Sequence, residues 1–147
     1  MITSSHDYSI KLWDIAQQDC LMTLNGSRLI SSFDISTNSN VIVTTHPDST
    51  VRLWDVKSSQ ENIAINTTFK ASHKGYVSDV QWSPSNPYIF ATAGYDGMCK
   101  LWDIRSTLPL FTFGVGEKVL CLAFGDCGEK HEVFCAGTDC VVKRFTF

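Results

Sequence analysis

An aspartate standing six residues ahead of an aromatic recurs four times, and nothing else in the chain narrows its possible folds so far. Asp7-Tyr-Ser-Ile-Lys-Leu-Trp13-Asp14-Ile15, Asp48-Ser-Thr-Val-Arg-Leu-Trp54-Asp55-Val56 and Asp96-Gly-Met-Cys-Lys-Leu-Trp102-Asp103-Ile104 align without gaps. A degenerate copy follows, Asp139-Cys-Val-Val-Lys-Arg-Phe145-Thr146-Phe147. The aromatics are spaced by 41, 48 and 43 residues, so the repeat units end near residues 14, 55, 103 and 147. Self-similarity at this period marks an array. Each unit is one supersecondary element that buries its apolar face only by stacking on its neighbours.

The segments between the copies read as short strands in a fixed cycle. An outer strand follows each Trp-Asp, near 19–24, 62–69 and 109–113. An inner strand comes next, over 29–35, 76–82 and 118–124, and then a third, over 41–45, 89–93 and 133–136. Residues 38–40 (Asn-Ser-Asn) and 83–87 (Ser-Pro-Ser-Asn-Pro) supply turns. Residues 119–124 are apolar on both alternating faces, which suits an inner strand held between two sheets, although periodicity alone does not separate it from a short buried helix. The polar stretches 57–62 and 125–131 read as solvated connections.

A Trp-Asp pair closing four-stranded units of about 40–45 residues resembles the WD-repeat family. The resemblance implies an all-β fold, a partial WD-repeat β-propeller over residues 1–147. Fourteen strands make roughly three and a half blades of a ring of about seven. It also implies a polar tetrad within a blade: a His before the inner strand, a Ser or Thr, the turn Asp and the Trp. A buried indole N–H wants an acceptor, and a buried carboxylate is costly without donors. The third copy holds a full set, His73, Thr92, Asp96 and Trp102. The second has Thr44, Asp48 and Trp54, with Gly26-Ser27 where Gly-His is expected. The first has Thr3, Asp7 and Trp13. The last keeps Asp139 with Cys135 and Phe145. The Trp-Asp carboxylates themselves are Asp14, Asp55 and Asp103.

These His, Thr and Asp residues would suit catalysis, but each Asp repeats with the period of the fold, whereas a catalytic group is needed once. His6, His46 and His131 have no second ligand at metal spacing and read as surface or turn residues. Neither Gly-x-Ser-x-Gly nor Gly-x-x-x-x-Gly-Lys occurs. The expectation is no enzyme activity, no cofactor and no metal.

Net charge is −3 and the pI about 5.7, without the basic footprint of a nucleic-acid binder, so direct nucleic-acid contact is not expected. No apolar run is long enough for a membrane span, and residues 1–7 lack the features of a signal peptide. The six cysteines form no Cys-x-x-Cys pair and read as free thiols in a reducing, intracellular compartment. Lys11, Arg52, Lys100 and Lys143 share one repeat position and read as solvated strand faces.

Met1 enters directly at a third strand, and the last unit lacks an outer strand. The ring is therefore expected to be open, with N-terminal blades and any N-terminal domain lying outside these residues. Apolar faces exposed at the two ends would be covered by the rest of a longer protein or by self-association.

Three stretches resemble one subfamily: the His-less opening 24–36, the segment 72–84 (Ser-His-Lys-Gly-Tyr-Val-Ser-Asp-Val-Gln-Trp-Ser-Pro) after a long outer loop, and 100–110 before the degenerate last copy. Their order is similar to the C-terminal half of the WD-repeat subunit of the PeBoW complex. That resemblance implies a nucleolar scaffold for large-subunit rRNA maturation, with Pescadillo and block-of-proliferation-type partners. Two other readings stay open. Asp96, Trp102, Asp103 and Arg105 match the Trp-Asp-x-Arg box of a substrate receptor of a cullin–RING ubiquitin ligase, with Arg105 as the adaptor contact. A generic peptide-binding WD-repeat scaffold is the other.

Overall fold

The structure, a computed structural model, describes residues 1–36, 41–56, 65–69, 72–127 and 130–147. Those residues form fourteen strands and no helix. The first sheet holds β1 (Ile2–Ser4), β2 (Ser9–Asp14) and β3 (Asp19–Asn25). The second holds β4 (Ser32–Ile35), β5 (Val41–Thr45), β6 (Val51–Asp55) and β7 (Ile65–Phe69). The third holds β8 (Val77–Trp82), β9 (Ile89–Gly94), β10 (Met98–Asp103) and β11 (Pro109–Gly114). The fourth holds β12 (Val119–Cys127), β13 (Lys130–Gly137) and β14 (Val142–Thr146). Each sheet is an antiparallel meander in chain order, the blade of a partial propeller. The expected turn at 38–40, the loop 57–62 and the start of the second outer strand lie outside the described residues.

The repeated aspartate has a local reason. In all four copies its Oδ1 accepts the amide two residues on: Ser9 at 2.9 Å, Thr50 at 3.3 Å, Met98 at 3.2 Å and Val141 at 3.2 Å. The residue between takes a left-handed φ: Tyr8 73°, Ser49 64°, Gly97 73° and Cys140 58°. An Asx turn thus closes each hairpin. The tryptophans recur for a matching reason. Trp13, Trp54 and Trp102 each follow a register shift against the outer strand, and a bulge of this kind re-aims the side chain.

Apolar clusters fill the three spaces between successive sheets. Ile10, Leu24, Ile42 and Trp54 join the first and second. Val43, Leu53, Val80, Phe90 and Trp102 join the second and third. Ala91, Leu101, Leu122, Val133 and Cys135 join the third and fourth. The inner strands are also clasped by side chains that bond the next sheet's backbone. Asp34 accepts the Trp82 amide at 2.7 Å and Asp79 the Leu122 amide at 2.9 Å, while the Ser78 hydroxyl donates to the Val119 carbonyl at 2.6 Å. Half-burying a carboxylate here is tolerable because its oxygens accept from fixed donors.

Residues 119–124 form an inner strand but are covered on one side only. Val119 and Leu122 are buried, whereas Leu120, Cys121 and Ala123 are exposed. Among the described residues no sheet stacks on that face, and those three residues occupy the repeat positions that carry the clasping side chains on β8. The hairpin β12–β13 also extends further than the sequence suggested, because pairing continues through Gly125↔Glu132 to Cys127↔Lys130.

Candidate functional site: polar chains under two tryptophans

In the third repeat four side chains from three places are bonded in series. Trp102 Nε1 donates to Thr92 Oγ1 at 2.9 Å, Thr92 Oγ1 lies 2.8 Å from His73 Nε2, and His73 Nδ1 lies 2.9 Å from Asp96 Oδ1. The indole can only donate, so the hydroxyl passes its own proton to Nε2, which leaves Nδ1–H to donate to the carboxylate. His73 is therefore the neutral Nδ1–H tautomer. Burial holds its pKa below the ordinary histidine value, Asp96 opposes this, and Lys100 adds to it. Burial pushes Asp96 up, but the Lys74 amide, His73 and the Met98 amide outweigh it, and Asp96 titrates below the usual carboxylate range. Gly94 makes room, since a Cβ there would stand 2.5 Å from His73 Nδ1.

The second repeat overturns one expectation. His46 is no surface residue; it is fully buried. Trp54 Nε1 donates to Thr44 Oγ1 at 2.9 Å, Thr44 Oγ1 lies 2.9 Å from His46 Nε2, and His46 Nδ1 lies 2.7 Å from the Leu29 carbonyl. A carbonyl only accepts, so this ring too is the Nδ1–H tautomer. Burial lowers its pKa, the Leu29 bond opposing. His46 occupies the repeat position of Gly94. A histidine missing before β4 is thus replaced by one after β5.

The outer repeats hold less. Trp13 Nε1 donates to Thr3 Oγ1 at 2.9 Å in an exposed setting. Asp139 pairs with Lys143 at 2.8 Å instead of with a histidine. Asp14 Oδ1 accepts the amides of Ala16 and Gln17, closing a turn. The basic residues at the shared repeat position are less solvated than their spacing suggested. Arg52 is buried and reaches Asp48 at 3.4 Å, and the Lys100 and Lys143 ammoniums donate to the Ser72 and Val115 carbonyls. Arg105 is exposed but held against its own repeat. Its guanidinium grips Asp103 at 2.6 Å and lies over the Tyr88 ring at 4.7 Å. Among the cysteines with described side chains, Cys99 and Cys135 are buried and Cys20, Cys121 and Cys140 are exposed.

Because Thr92, Thr44 and both histidines are sealed from solvent, these chains can fix strand register but cannot meet a substrate. The sequence pattern pointed to the third repeat. It missed His46, whose acceptor is a backbone carbonyl, and the clasps of Asp34 and Asp79, which cross between sheets. The aligned pair His46 and Gly94 was the one available signal.

The family model described as WD domain, G-beta repeat, matches residues 18–55 and 65–103, just over half of the chain. The chain belongs to the WD-repeat family. Its similar relatives include three proteins named ribosome biogenesis protein WDR12 homolog. The one from Dictyostelium discoideum is 38% identical over 118 residues, 80% of this chain and 25% of that protein. The one from Culex quinquefasciatus is 34% identical over 147 residues, 99% of this chain and 33% of that protein. The one from Chlamydomonas reinhardtii is 29% identical over 150 residues, 99% of this chain and 34% of that protein. The WD-repeat chain therefore spans about a third of the length of the curated relatives it matches, or less.

Proposed function

We propose that residues 1–147 work as one partial-propeller unit of a non-catalytic scaffold for ribosome biogenesis, serving large-subunit rRNA maturation in the nucleolus. The observation that carries this reading is the similarity to the Culex relative, which runs through 99% of the chain at 34% identity. It therefore includes the His-less second repeat and the degenerate last one, not only the Trp-Asp turns. The sealed polar chains support the non-catalytic part. The Thr-His-Asp series, the arrangement closest to acid–base machinery, is spent on holding a tryptophan. The partners proposed are Pescadillo and block-of-proliferation-type proteins, with rRNA reached through them and not directly.

Affinity purification of the full-length gene product tests this. Recovery of Pescadillo-type partners with pre-ribosomal RNA is expected. Recovery of a ligase adaptor without them, lost on Arg105→Ala, would overturn it in favour of a ubiquitin-ligase receptor. That second reading is disfavoured because the relatives matched along the chain are named for ribosome biogenesis and not for ubiquitin ligation.

A further inference from the structure

The β1–β2 turn, the β3–β4 connection and the β5–β6 turn enclose a pocket of about 230 Å³, lined by Tyr8, Ser27, Arg28, Leu29, Pro47 and Asp48. It lies between the first two sheets, apart from the sealed polar chains. Its charges are unevenly matched. Asp48 Oδ1 accepts from the Thr50 hydroxyl at 2.5 Å, while its Oδ2 stands 3.4 Å from Arg52 and 3.7 Å from Arg28. Good guanidinium–carboxylate bonds run about 2.7–2.9 Å, so both contacts are loose. Arg52 Nη1 is buried with no hydrogen-bond partner among the described residues. Two guanidiniums thus share one carboxylate, and Arg28, its side chain 64% exposed, has no closer side-chain partner among the described residues for its five donors.

The apolar wall is built against backbone preference. Tyr8 holds φ at 73°, where the third repeat has Gly97 at the same angle. L side chains rarely adopt this region, and bulky ones least. The Tyr8 carbonyl is fixed there by the Gly26 amide at 2.7 Å. The same left-handed turn carries Ser49 and Cys140 in the second and last copies, so the angle belongs to the Asx turn of the repeat; what is particular to the first copy is that it holds a half-exposed aromatic beside Arg28.

We infer that this pocket binds a carboxylate side chain from an acidic segment of a partner protein. Its methylenes lie against Tyr8, Leu29 and Pro47, and its carboxylate takes the outer donors of Arg28. The inference deepens the scaffold reading but is tested without the partner, so its failure leaves the affinity-purification result standing.

The test is a titration of the 147-residue chain with a blocked glutamate tripeptide, its glutamine counterpart and a short oligoribonucleotide, followed by amide chemical shifts. Saturable shifts at Tyr8, Arg28 and Leu29 are expected with the glutamate peptide, about tenfold weaker with glutamine, since charge-assisted bonds are roughly twice as strong as neutral ones. Arg28→Ala should abolish them. Tyr8→Gly, which suits the turn, should weaken them while leaving the fold intact. Equal binding of the two peptides, no saturable shift, insensitivity to Arg28→Ala, or stronger binding of the oligoribonucleotide at the same amides would overturn the inference.

Discussion

In the third repeat the imidazole beside Trp102 comes from His73, in the connection before β8. In the second, the imidazole beside Trp54 comes from His46, just after β5. Both rings accept from a threonine whose oxygen takes the indole N–H, and both are the same neutral tautomer. What differs is where the second ring nitrogen goes. His73 donates to Asp96 and so ties the turn between β9 and β10 to the connection before β8. His46 donates to the Leu29 carbonyl, which leaves Asp48 outside the polar chain and shared by Arg28 and Arg52. The fold therefore constrains the space and the bonding sequence under each tryptophan, not the position that supplies the ring. Where the histidine arrives before the inner strand, the position after the next strand is glycine; where it arrives from that later position, the earlier one carries Ser27.

That reciprocity can be broken outright. Gly94→His would place two imidazoles in one space and should lower unfolding free energy by about 3 kcal/mol or prevent folding, as overpacking does. His73→Ser in the same molecule should recover at least half of that loss in chemical denaturation, a coupling expected of residues in contact. A double variant no more stable than the sum of its parts would show that the two positions do not share the space.

The next effect is smaller and separates the turn aspartates. Asp96→Ala leaves His73 and the Lys74 and Met98 amides without an acceptor, and a buried orphan costs about 1–3 kcal/mol. Asp139→Ala removes a part-buried pair with Lys143 and the acceptor of the Val141 amide but orphans no buried imidazole, and should move the melting temperature less. Thr44→Val and Thr92→Val should each cost about 1–3 kcal/mol and agree with one another, because both orphan an indole and an imidazole. Equal losses for Asp96 and Asp139, or clearly unequal ones for the two threonines, would undo the comparison.

The strand cycle was legible because each Asx turn, bulged tryptophan and apolar strand is written within a few neighbouring residues. The His73 chain was legible for a related reason, since all four members lie at fixed offsets within one unit. His46 was not, because a backbone carbonyl has no sequence signature. Asp34 and Asp79 were not, because their partners belong to the neighbouring unit. The exposed face of β12 was not, because alternation reports which residues are apolar and not whether a sheet covers them. The positive-φ tyrosine at position 8 escaped as well, since only the aligned Gly97 betrays what that backbone prefers.

The smallest expected effect is pH dependence, and it tests both repeats together. Both imidazoles have folded-state pKa values below the unfolded value of 6.5, chiefly through burial. Each then contributes stability that is fully present above pH 6.5 and is lost as pH falls from there through the folded pKa, where the unfolded chain binds the proton first. One proton per imidazole limits the slope to about 1.4 kcal/mol per pH unit for each ring. Asp96, also lowered, adds a loss of the same sign only below its unfolded value of 3.8. Urea midpoints from pH 8 to pH 4 should be flat above neutrality and then decline. In His46→Asn the decline should shrink, leaving the His73 share, which Asp96 moderates by favouring the charged ring. An unchanged profile in that variant would mean that His46 titrates as a solvated residue and that the second repeat lacks the sealed chain of the third.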